Sequence, residues 1–164
     1  MARSTTVNLG TTIIEVPNVG PFNQGYCPYL CQAVLSGYGV FRQSIAGIAD
    51  QKAVVPLSGV SATTSTLIWD DTAFATGVAV VNLSSASTSV SIVVRDSAGT
   101  NIGNASISLP AKGKKAFFLR DLPGLDAMRG RRGSANFSVA IGNIAVLGLR
   151  FNGSAITSIP TADR

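Results

Sequence analysis

The chain has no histidine, two cysteines and eight acidic residues in 164 positions. Without histidine, the commonest general base and metal ligand is missing, and none of the many serines has an imidazole to activate it. Neither a Gly-x-Ser-x-Gly elbow nor a Ser-x-x-Lys pair occurs. The carboxylates are Glu15, Asp50, Asp70, Asp71, Asp96, Asp121, Asp126 and Asp163. Only Asp70 and Asp71 are adjacent, and neighbours on a strand point to opposite faces, so they do not converge on a glycosidic bond. Their expected work is to hydrogen-bond backbone amides at a turn. A calcium site built on them would need loop carbonyls as well, and no spaced Asp/Asn ladder supplies the rest. The reading is a protein that is not an enzyme, with no catalytic residue, cofactor or metal.

Charge is also scarce. Only 13% of residues are Asp, Glu, Lys or Arg, about half the usual share. Ser, Thr, Asn and Gly must therefore cover the surface, and hydroxyl residues crowd 58–66 and 84–91. Such an exterior fits extracellular β domains and subunits that pack into assemblies. No apolar run reaches 18 residues, so no membrane-spanning helix is expected. Met1 to Gly10 lacks the apolar core of a signal peptide; the chain is either intracellular or numbered after an export signal was removed, and composition favours the second.

The cysteines stand as Cys27-Pro-Tyr-Leu-Cys31. Two sulfurs without histidine are too few for structural zinc, and three intervening residues are one too many for a redox pair beside a strand. A local disulfide pinning the loop is the expectation, with two buried thiols as the alternative; closing so short a loop contributes about 2 kcal/mol at most.

What the sequence does contain is period-two patterning. Val90, Ile92 and Val94 alternate with Ser89, Ser91, Val93 and Arg95. Asp96-Ser97-Ala98-Gly99 follows as a turn with glycine where a positive φ is wanted, and Ala105, Ile107 and Leu109 resume the alternation. Residues 88–109 thus read as a hairpin. Further strands are expected at about 5–9, 11–16, 33–42, 52–57, 65–69, 76–83, 114–120, 133–139, 143–151 and 155–158. Ten or more short strands predict an all-β, two-sheet antiparallel sandwich of immunoglobulin-like or jelly-roll-like type, in one domain over 1–164. One short helix is expected near 121–128, where Asp121 would cap, Pro123 suits a first turn, and Leu122, Leu125 and Met128 recur every third residue.

Three surfaces are candidate sites. Lys112, Lys114, Lys115, Arg120, Arg129, Arg131 and Arg132 account for much of the formal charge of +5 and could form a polyanion patch, or a solvated edge that discourages strand pairing. No zinc finger, helix-turn-helix or RNA-binding signature accompanies them, so nucleic acid is not an expected partner. Tyr26, Tyr29 and Trp69 are the candidate glycan platform, with Tyr38 and Trp69 alternatively in the core. Asn82, Asn104, Asn136 and Asn152 match the glycosylation acceptor pattern, as chance allows in a chain so rich in Asn and Ser.

The order of Gly37-Tyr38-Gly39-Val40-Phe41-Arg42, Ala53-Val54-Val55-Pro56-Leu57, Thr76-Gly77-Val78-Ala79-Val80-Val81-Asn82, Arg95-Asp96-Ser97-Ala98-Gly99, Ser108-Leu109-Pro110-Ala111, Ala116-Phe117-Phe118-Leu119, Gly148-Leu149-Arg150-Phe151-Asn152 and Thr157-Ser158-Ile159-Pro160 resembles a β-sandwich domain of large secreted and cell-surface proteins of environmental bacteria. These pieces mark out about three quarters of the chain. Trp69-Asp70-Asp71-Thr72 stands where that pattern has Phe-Asp-Asn-Thr, and Lys114 where histidine is common. The resemblance implies an exported, non-catalytic module and carries over no functional residues. The function expected is an extracellular structural or adhesive protein that self-associates through strand edges, as a filament or surface-layer subunit, with residues 1–16 as an added or exchanged strand. The alternative is a carbohydrate-binding module with a polysaccharide partner.

Overall fold

The computed structural model describes residues 10–15, 36–57 and 62–164. The strands are β1 (Tyr38–Ile45), β2 (Ile48–Pro56), β3 (Thr64–Asp70), β4 (Ala75–Asn82), β5 (Thr88–Asp96), β6 (Asn101–Leu109), β7 (Lys114–Phe118), β8 (Arg132–Ser138), β9 (Ile144–Asn152), β10 (Ala155–Ile159) and β11 (Thr161–Asp163). They form a five-stranded sheet in the order β11-β3-β8-β5-β6, a four-stranded sheet in the order β10-β9-β4-β7, and a separate ribbon of β1 and β2. Every pairing between these strands is antiparallel. The all-β sandwich expected from the alternation is therefore the fold.

Alternation decides which face is buried. In β4, Thr76, Val78, Val80 and Asn82 are buried while the residues between them are partly open; in β5 the buried residues are Val90, Ile92 and Val94. Leu67, Trp69, Ile107, Leu109, Ala135, Phe137 and Ile144 complete the contact between the sheets. The β5–β6 hairpin closes as its sequence requires. Gly99 has φ +84°, and the Asp96 carboxylate accepts from the amides of Ala98 and Thr100, both at 3.0 Å. Gly133 is needed for a different reason. It lies on the central strand β8 between Trp69 and Asp96, where a Cβ would come within 1.9 Å of the Arg95 carbonyl oxygen.

Two expectations need correction. Residues 121–128 do not form an α-helix; two 3-10 turns, Leu119–Asp121 and Asp126–Met128, flank Pro123 and Gly124. Gly124 takes φ +87°, which interrupts any right-handed continuation, and Asp121 makes no side-chain cap. The threefold spacing has a direct cause: the amides of Leu122, Leu125 and Met128 each donate to the carbonyl three residues earlier. Leu119, Leu122, Leu125 and Met128 are all buried and close one end of the sandwich. The second correction concerns the N-terminal region. Residues 10–15 are exposed and carry no strand, so the strand expected at 11–16 is absent over its described part, while the one expected at 5–9 lies outside the described residues. The start of the strand expected at 33–42 also lies outside them; β1 runs from Tyr38 to Ile45. The short strand β11, after Pro160, was not expected, because three residues are too few to show an alternation.

Candidate functional site

The basic stretch does not make one patch. Lys114 pairs opposite Val81 at the C-terminal end of β4, and nearby Lys112, with φ +55°, donates from Nζ to the Leu83 carbonyl. Arg132 instead pairs opposite Asp70, and the Arg131 carbonyl accepts from the Asp71 amide, just ahead of the N-terminal end of β4. Arg129 and Arg120 belong to this second group: Gly130, next to Arg129, donates to the Asp71 carbonyl, and Arg120 pairs with the Asp71 side chain. The eight residues of β4 separate the two groups by about 23 Å, beyond the screening length at physiological salt. Sequence proximity concealed this because β7 runs the length of the sandwich between them.

At the arginine end, Asp71 is buried, with its side chain 4% exposed, and accepts from Arg120 Nη1 at 3.0 Å. Arg120 is itself 33% exposed, so removing it costs less than the roughly 3–5 kcal/mol typical of a fully buried pair. Asp70 does the turn work expected of it: its carboxylate accepts from the Thr72 amide at 2.9 Å and from the Thr72 hydroxyl. Those two bonds, helped by Arg132 and Arg150, hold its pKa below the ordinary value. An open cleft beside this turn is lined by Phe74, Phe118, Arg120 and Phe151, with Phe118 and Phe151 in edge contact at 5.4 Å and Arg150 5.0 Å above the Phe74 ring. At the opposite end, Asn82 is fully buried and satisfied, donating to the Ala86 and Pro110 carbonyls and accepting from the Ser84 amide. Its place in the glycosylation pattern is thus coincidental to a structural role.

The glycan platform loses one member. Trp69 is 0% exposed, packed between the sheets, and offers no face to a sugar. Tyr26, Tyr29, Cys27 and Cys31 lie outside the described residues. Tyr38 does not join the core: it is 68% exposed on β1. Among the described residues no three acidic, Cys or His side chains stand close enough to hold a metal ion, and no helix is long and apolar enough to cross a membrane.

Among the described residues the β1–β2 ribbon carries an open apolar surface. Tyr38 pairs opposite Pro56, Val40 opposite Val54, and Arg42 opposite Lys52, so these residues share one face. Tyr38, Val40 and Val54 are 68%, 54% and 48% exposed. On the other face Ala53 is buried and β2 lies against β10, while Phe41, opposite Ala53, stays 51% exposed. At the tip, Arg42 and Asp50 form an exposed ion pair at 3.0 Å, to which Ser44 adds a hydrogen bond. Sequence reasoning missed this surface because Val54-Val55 places apolar side chains on both faces of the strand, and period alone does not say which face is covered.

No protein family, curated protein or solved structure matches the chain.

Proposed function

We propose that the chain is a non-enzymatic structural or adhesive domain of an extracellular or cell-surface protein, and that copies of it associate into a polymer. The observation that carries this reading is the exposed apolar face of the ribbon, Tyr38, Val40 and Val54, on an arm held to the sandwich by buried Ala53 and by β10. Contiguous exposed apolar residues rimmed by charge mark interaction sites. The occupant is a second copy of the ribbon, turned so that apolar base meets apolar base and the charged tips lie apart. The sparse charge and hydroxyl-rich surface support the extracellular location, as does the likeness of motif order to secreted β-sandwich domains.

The magnitude decides how such a contact is used. Covering each of these half-exposed side chains contributes on the order of 1 kcal/mol. Six of them across a two-fold contact give roughly 6 kcal/mol before the entropic cost of association. That is a weak dimer, useful where several contacts act together. Val54→Lys places a cation in the middle of the patch at an exposed strand position. Sedimentation velocity over a concentration series should show smaller species for Val54→Lys than for the parent chain, with an unchanged circular dichroism spectrum. An identical size distribution would remove the ribbon from the contact.

A further inference from the structure

Every sheet has two edges, and an edge presents unpaired backbone donors and acceptors that invite another strand unless something discourages it. Such devices are visible on most edges here. On β7, Lys114 and Lys115 stand side by side, and Lys115 occupies an inward-facing position, in register with buried Val80. Along β10 lies β2, and Pro160 follows it. The strand β11 is three residues long and includes Asp163. The ribbon edges carry Arg42 on one strand and Asp50 and Lys52 on the other.

β6 is guarded only at its start, where Gly124 and Leu125 pack against Gly103 and Asn104. Asn101 to Leu109 contains no charge and no proline over nine residues. Among the described residues β6 pairs with β5 alone; the Gly103 amide donates to Asn101 Oδ1 at 3.0 Å, and no other described backbone group hydrogen-bonds to the stretch from Ala105 to Leu109. The single irregularity of its pairing lies at the turn, between Val94 and Arg95, and from Gly103 to Leu109 the register is continuous. Beyond Gly103, which packs on Gly124 and Leu125, the stretch from Ala105 to Leu109 holds no residue that would splay the edge.

We propose that β6 is a second assembly contact, pairing antiparallel with β6 of another copy about a two-fold axis at Ser106. This rests on the reading of the chain as a self-associating structural domain and names its second surface. The register argues for a like partner. A two-fold axis at Ser106 sets Ser106 opposite Ser106 and Asn104 opposite Ser108 on the outer face. On the inner face it sets Ala105 opposite Ile107, a small residue against a large one. No like charges meet, the outer pairs are hydrogen-bonding, and the two five-stranded sheets become one continuous sheet. Each two-fold contact used alone closes a dimer; the ribbon and β6 used in alternation generate an open chain.

The test is a single exposed position. Ser106→Lys brings two ammonium groups face to face across the axis, and Ser106→Glu does the same with carboxylates; neither touches the core. Like charges directly opposite should weaken the contact about tenfold or more. In sedimentation velocity, the parent chain is expected to polymerise, each variant alone to stop at the dimer, and an equimolar mixture of the two to regain the polymer. Ser91→Lys, on the neighbouring strand opposite Ser106, should leave the assembly unchanged. Polymers of Ser106→Lys as long as those of the parent overturn the proposal, as does a mixture no larger than its components. A parent chain that stops at a dimer which Ser106→Lys dissociates would retain the β6 contact and remove the ribbon. A parent that is monomeric throughout the series would remove both.

Discussion

Asp70 and Asp71 are neighbours in sequence with different employments, and the difference has a measurable consequence. Asp71 is withdrawn from water and held by Arg120, while Asp70 stays at the surface and organises the turn through Thr72. Because the Thr72 hydroxyl and amide favour the charged carboxylate, the Asp70 pKa in the folded chain lies below its unfolded value of about 3.9. A depressed carboxylate pKa means that the unfolded state binds the proton more readily. The stabilisation is therefore complete above about pH 4 and is lost as pH falls toward the folded pKa. Asp70→Asn retains an acceptor oxygen for Thr72 but does not titrate. Melting temperatures measured between about pH 5 and pH 3 should fall less steeply for Asp70→Asn than for the parent. Parallel curves would show that this carboxylate contributes nothing to the acid sensitivity.

At the scale of elements, the two outer strands β6 and β7 differ in kind. Lys115 of β7 is exposed although in register with buried Val80, and a lysine so placed on an outer strand discourages pairing by another strand. Lys114→Thr with Lys115→Val should convert β7 into a second open edge. The variant should melt no lower than the parent and aggregate at lower concentration, read by light scattering; unchanged solubility would mean that the lysines are not what guards it. Strand positions were largely legible in the sequence, because alternation such as Val90, Ile92, Val94 reports a half-buried sheet directly. Leu122, Leu125 and Met128 also showed their burial, but an α-helix and a 3-10 segment share that spacing over so few residues, and only the positive φ of Gly124 separates them. The surfaces were much less legible. Of the two aromatics given a core alternative, Trp69, for which core is the preferred reading, belongs to the core cluster with Leu67 and Phe137, whereas Tyr38 is exposed. Lys112 and Arg132 looked like neighbours because the chain length between them does not reveal a strand crossing the whole sandwich.

For the whole molecule, net charge separates the two ways in which this domain could hold on to something. The chain carries a formal +5, and the cations of its basic stretch lie in two groups at opposite ends of β4. Self-association by the ribbon face and β6 buries apolar side chains, serines and backbone amides, and forms no ion pair between copies. The long-range force between two approaching copies is then repulsion. Salt shortens the reach of that repulsion from about 30 Å at 0.01 M to about 10 Å at 0.1 M. Adhesion to an anionic polymer has the opposite dependence, because each neutralised charge releases a counterion and added salt reverses the gain. Light scattering of the purified chain should therefore rise as sodium chloride is raised from about 0.02 M to about 0.5 M. A fall over the same range would mean that ion pairs between copies hold the assembly together, placing the contact on the lysine or arginine ends of the sandwich instead of on its ribbon and its uncharged edge.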